Sequence, residues 1–142
     1  MKKGFTLIEL LVIIVILSTL LALSAPFYSR FILQDALSST VDQFAGSFRK
    51  AQISAMMGKQ NGSWGVNYSN NKITLFQGNS YIGRNSGFDE VFNINANIGV
   101  TGFTEVIFSR MTGIPGATAF ITIHGGGSSK TLSINKEGIV SK

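Results

Sequence analysis

Apolar positions along this chain fall into three regimes. From Phe5 to Ala25 they are nearly continuous. From residue 27 to about 58 they recur at helical spacing: Leu37, Val41, Phe44, Phe48, Ala51 and Ala55 lie four, three, four, three and four residues apart. That is one apolar stripe of an amphipathic helix, and Asp42, Gln43, Ser47, Arg49 and Lys50 are expected on the opposite face. Gly58 beside Lys59 gives the expected C-terminal stop.

After Gly62 the period changes to two, with turn residues between the runs. Ser63–Tyr68 and Lys72–Gln77 predict a hairpin closed at Ser69-Asn70-Asn71. Phe88–Ile94, Glu105–Phe108, Ala119–His124 and Thr131–Ile134 predict further strands. Gly125-Gly126-Gly127-Ser128-Ser129 reads as a flexible hairpin tip. Asn135-Lys136-Glu137-Gly138 reads as a second turn, before a short strand Ile139–Ser141. A helix followed by a run of strands predicts an α+β fold, with a mostly antiparallel sheet packed on the amphipathic helix.

Three readings of the opening segment compete. Lys2 and Lys3 before an apolar run suit a secretory signal, with Leu23-Ser24-Ala25 as a loose cleavage site. The run from Phe5 to Ala25 covers about 20 residues and ~32 Å as a helix, enough to cross a ~30 Å hydrocarbon layer. The lysines would hold the start on the cytoplasmic side and place the bulk of the chain outside. Glu9 fits neither reading well, because a carboxylate inside such a run costs on the order of 3 kcal/mol. Such a group points to a partner within the membrane, or to a charge snorkelling at a helix end.

The residues Lys3-Gly4-Phe5-Thr6-Leu7-Ile8-Glu9, followed by the long apolar tail, resemble the prepilin processing motif of type IV pilins and type II secretion pseudopilins. The resemblance implies a prepilin peptidase cut between Gly4 and Phe5 and N-methylation of Phe5. It implies a leader over 1–4, a transmembrane helix over 5–26, and a pilin head over 27–142, with the helix 27–58 and the sheet 63–142. Glu9 would then neutralise the Phe5 amine of a neighbouring subunit during filament assembly, since paired charges are tolerated where single ones are not. Gly4 has a physical reason as well, because a residue without a side chain lets a peptidase approach the backbone closely. Pro26 either ends the anchor or kinks the helix, having removed one hydrogen bond from it.

The stretch from Val106 to Gly116, a following strand, and Leu132–Val140 is similar to the H-type minor pseudopilins and their minor-pilin relatives (the GspH/FimT group). The implied partners are other pilin or pseudopilin subunits, the prepilin peptidase, a membrane platform protein and a cytoplasmic assembly ATPase.

Composition narrows the rest. The 142 residues suit one modest domain plus an anchor, and the charged fraction of 13% is that of an ordered chain. The absence of cysteine excludes disulfides, zinc–thiolate sites and thiol nucleophiles, without fixing a compartment. Of the net charge of +5, Lys2 and Lys3 supply two units, and no basic block appears. A nucleic-acid footprint could still draw on Arg84, Arg110, Lys130, Lys136 and Lys142, as in a DNA-binding minor pilin.

Catalytic chemistry is thin. His124 is the one histidine, Glu105 and Glu137 are arbitrary partners for it, and it is expected at a strand end facing solvent. Asp89 and Glu90, adjacent on a strand, should point to opposite faces. No set of oxygens converges in sequence for calcium. The glycine–serine–lysine tract at 125–130 lacks the spacing and the following helix of a phosphate loop. The expectation is a structural subunit that is not an enzyme and takes no cofactor or metal. A secreted binding module and an extracellular enzyme stand as the alternatives.

Overall fold

The computed structural model describes residues 4–142, without the side chains of residues 24–27 and 29. The leader residues Met1–Lys3 and the side chain of Pro26 therefore lie outside the described residues, although the backbone at Pro26 is helical. The chain divides into two compact units, with the boundary between Ile32 and Leu33.

Among the described residues one α-helix, α1 (Leu7–Met56), and a short 3-10 turn (Lys59–Asn61) are followed by eight strands. These are β1 (Trp64–Ser69), β2 (Lys72–Gln77), β3 (Asn85–Asn93), β4 (Gly99–Thr101), β5 (Glu105–Phe108), β6 (Ala119–Gly125), β7 (Ser128–Ile134) and β8 (Val140–Ser141).

In the N-terminal unit the apolar side chains of α1 are exposed all round, from Leu7 to Leu23. The two hydroxyls in that stretch are satisfied by their own helix. Ser18 donates to the Ile14 carbonyl at 2.7 Å and Thr19 to the Ile16 carbonyl at 2.8 Å. Among the described residues no helix is long and apolar enough to cross a membrane. The described apolar run Leu7–Leu23 stops roughly one turn short of the ~20 residues a crossing takes. The rest of the expected span, 24–26, has no described side chains.

In the second unit the predicted stripe is the core. Leu37, Val41, Phe44, Phe48, Ala51 and Ala55 are all buried. The buried face is wider than the stripe, because Thr40, Ala45, Ser47 and Ser54 are buried too. Ser47, expected on the polar face, is the correction here. It lines a small cleft with Gln43, Gly46, Lys50 and Phe92, so β3 covers the helix flank that the stripe alone left open. The helix stops where the left-handed backbone of Gly58 (φ 60°) turns the chain away.

The strands form two four-stranded sheets rather than one, in the orders β3-β2-β1-β5 and β4-β6-β7-β8, with every pairing antiparallel. The break follows β5. The chain folds back so that Phe108 bridges Pro115, and the Gly116 amide donates to the Ile107 carbonyl. Proline has no N–H with which to extend a ladder, so the first sheet closes there and the second starts at β6.

Period two holds in both sheets. Trp64, Val66, Ile73, Leu75, Val106 and Phe108 face the helix from the first, and Ala119, Ile121, Ile123, Leu132 and Ile134 from the second. At the centre, Phe44 and Phe48 stack at 6.0 Å, and Phe103 stands edge-on to both at 5.6 and 5.7 Å.

The predicted hairpin β1–β2 turns on Asn70 and Asn71, both at positive φ, as its two-residue turn requires. The expected flexible tip after His124 is tighter than predicted. Pairing continues to Gly125 and Ser128, and only Gly126 and Gly127, at φ 60° and 79°, make the turn. β4 was not anticipated, because three residues give too short an alternation to read.

Of the sheet edges, β4 and β8 are short and β5 is capped by residues 115–116. β3 is the one long open rim. The Ile94 amide donates to Asn71, so N–H groups alternate outward from Asn93 along the strand.

Candidate functional site

Sequence reasoning placed the site at the start of α1. Gly4 and Phe5 precede the helix in irregular, exposed backbone. A Cβ added at Gly4 would meet nothing within 4 Å. No packing among the described residues therefore demands glycine there.

Glu9 sits in the first turn of α1 and has a local partner that sequence reasoning missed. The Thr6 amide donates to Glu9 Oε2 at 3.5 Å, and the Glu9 amide donates to Thr6 Oγ1 at 3.3 Å. This is a capping box, and Thr6-x-x-Glu9 ahead of an apolar run is its sequence signal. A carboxylate here also meets the positive end of the helix dipole. Both bonds are long. Glu9 is thus held near the helix start on weak bonds and is open to a stronger cation. It is the only charged side chain from Phe5 to Ser29.

The other candidate residues do not form a site. His124 is exposed on β6, opposite Gly99 and Ser129. Glu105 instead accepts from the Tyr81 amide at 2.9 Å, and the Glu137 carbonyl accepts from Gln52 at 3.2 Å. Asp89 and Glu90 do point apart: Asp89 takes Arg84 at 2.7 Å on one face of the sheet, and Glu90 reaches Lys50 on the helix at 2.6 Å. Among the described residues no group of three His, Asp or Glu gathers that could hold a metal.

The cations proposed for a nucleic-acid patch are dispersed or engaged. Arg84 is raised from its usual pKa by its hydrogen bond to Asp89, and it lies 3.9 Å over the Tyr81 ring. Lys130 and Lys142 share a groove with Ser38 and Asp42, where Lys130 donates to Ser38 and Lys142 pairs with Asp42.

Asp42 titrates below the usual 3.8, chiefly through the hydrogen bond and then the charge of Lys142, with Lys130 adding less. A folded-state pKa below the unfolded one stabilises the fold above the ordinary value, and that contribution fades as pH falls through the lowered one. Asp42 is exposed, so the effect is small. Urea midpoints of the parent and Asp42→Asn should differ slightly at neutral pH and converge well below pH 3.8. Divergence that grows on acidification would contradict this.

Comparison with known families places one label on this geometry. The family described as the prokaryotic N-terminal methylation motif matches residues 1–25. No curated protein and no solved structure matches the chain. The match covers Gly4, Phe5, Glu9 and the apolar run, and it stops before the head. What it supports is a pilin-like subunit processed at its N-terminus.

Proposed function

We propose that this chain is a structural subunit of a type II secretion pseudopilus or a type IV pilus. The observation that carries the proposal is the methylation motif over residues 1–25, placed at the head of a helix whose only charged side chain up to Ser29 is Glu9. In this reading a prepilin peptidase cuts between Gly4 and Phe5, and Phe5 is methylated. The apolar half of α1 holds the subunit in the inner membrane with the head outside the cytoplasm.

Assembly then exchanges lipid contacts for contacts between apolar helices. The Glu9 carboxylate leaves its weak capping bonds for the amine of Phe5 on a neighbour, and each charge removes the other's cost. A bend or local melting at Pro26 lets the helix adjust to the filament. A platform protein and an assembly ATPase extract subunits from the bilayer. The H-type minor group is the subgroup its tail fits best.

The test is the N-terminus of native material. Mass spectrometry is expected to find the chain starting at methylated Phe5 in cells with a prepilin peptidase, and at Met1 in cells without one. A start near Ala25 or Pro26 would instead identify a secreted module cut after its signal.

A further inference from the structure

Three segments of the second unit meet at the C-terminal end of α1. The Met111 amide donates to the Ala55 carbonyl at 2.8 Å, which fixes the 109–114 loop to the helix end. Gln52 Nε2 donates to the carbonyls of Gly113 and Glu137, both at 3.2 Å, which ties in the 135–138 turn. A Cβ at Gly58 would lie 3.2 Å from Met111 Sδ, and one at Gly113 would lie 2.9 Å from Met56 Sδ.

This junction gathers Met56, Met57 and Met111, every methionine after the initiator. All three are exposed, as are Ile53 and Ile114. An apolar surface of this kind marks a contact site when it is contiguous. Thioethers suit an adaptable one.

Met111 adds a second observation. It holds φ 68°, a left-handed backbone that a side chain without local polar groups seldom adopts, and it projects into solvent, 66% exposed. The hydrogen bond to Ala55 holds that backbone in place, and the thioether it presents beside Gly58 is open to something outside the fold.

Charge says what that something is. Arg49 lies on the same helix face as Ile53 and Met56, at spacings of four and three. Arg110 flanks Met111, and Lys136 lies on the adjoining turn. None of the three forms an ion pair among the described residues, where the pairs are Lys50–Glu90, Arg84–Asp89 and Lys142–Asp42. Across these three segments Glu137 is the one acid. A second copy is a poor complement: Asp42, Asp89 and Glu90 of its head are engaged by its own cations, Glu105 accepts from the Tyr81 amide, Glu137 lies on this same surface, and Asp35 sits far from all of these in sequence, so its acids do not line one apolar segment.

We infer that this methionine-lined, basic-rimmed surface docks an acidic amphipathic segment of another protein, with apolar anchors on the thioethers and carboxylates on Arg49, Arg110 and Lys136. The inference is independent of how the N-terminus is processed.

The probe is a fluorescent helical peptide of about 18 residues, with leucines on one face and glutamates on the flanks. It is titrated with the full chain in detergent and read against protein-free micelles. Its two controls replace glutamate by lysine, or leucine by serine. The acidic amphipathic peptide is expected to bind at least ten-fold tighter than either control. Arg49→Glu with Arg110→Glu should weaken it at least ten-fold, and so should Met57→Gln with Met111→Asn. Asparagine tolerates the left-handed backbone at 111, and circular dichroism confirms that the fold is kept. Equal binding of the lysine peptide, or indifference to both variant pairs, would overturn the inference. So would oligomers in light scattering that these variants dissolve while the peptide stays unbound, since a second copy would then be the occupant.

Discussion

Phe44→Ala is expected to destabilise the head by about 4 kcal/mol, within the ~3–5 kcal/mol typical of a buried phenylalanine cut to alanine. Phe44 has no exposed surface and touches three other rings: Phe48 at 6.0 Å, Tyr68 at 6.0 Å and Phe103 at 5.6 Å. Removing it deletes apolar burial and leaves a cavity that rigid neighbours fill poorly. The edge-on ring contacts, each worth about 1 kcal/mol beyond area, go with it. Phe120→Ala is the control: Phe120 is 67% exposed on β6, so its loss should stay within about 0.5 kcal/mol. Urea unfolding of the full chain in detergent, followed through Trp64, separates the two. A Phe44→Ala loss below about 1 kcal/mol would mean that the helix is not held by this cluster.

Glu9→Ala should have the opposite profile, abolishing filament assembly while leaving the head as stable as the parent. Glu9 and the core belong to different compact units, and among the described residues the Glu9 side chain is held by Thr6 through the capping box. Loss of a box with such long bonds costs about 0.5 kcal/mol of helix start. The assembly contact is of another order. Without Glu9, each incoming subunit would bury the neighbour's Phe5 amine unpaired, a cost of roughly 3–5 kcal/mol and so at least a hundred-fold in assembly. The comparison to make is sheared filament yield against total processed subunit, with the urea midpoint of the head measured alongside. Normal yield from Glu9→Ala would remove Glu9 from the assembly mechanism, and a lowered head midpoint would mean that the two units are coupled.

The sequence made the helix stripe legible because one face of α1 is buried and its period is sustained over many turns. The β1–β2 hairpin was equally plain, since paired asparagines at the turn fix its register. The division into two sheets was not legible. It depends on Phe108 meeting Pro115 across a loop, and a proline in a loop reads only as punctuation. Ser47 was misplaced because a helical wheel shows one stripe, whereas β3 buries a second flank of the same helix.

At the N-terminus, Gly4, Phe5 and Glu9 stood out by motif. Thr6 was passed over, although its three-residue offset from Glu9 is itself a signal. The methionine surface could not be read at all, since positions 56, 57 and 111 become neighbours only when the loop after β5 docks on the helix end.

The open rim of β3 bears on how subunits behave before assembly. Its middle carries Asp89 and Glu90. If two rims aligned antiparallel about their centres, the Arg84–Asp89 and Lys50–Glu90 pairs would be brought against their copies, and charged side chains on an edge strand oppose such pairing. A nine-residue strand that would otherwise template cross-β stacking thus carries its own deterrent. Such a chain can accumulate at high local density without its heads zipping together out of turn.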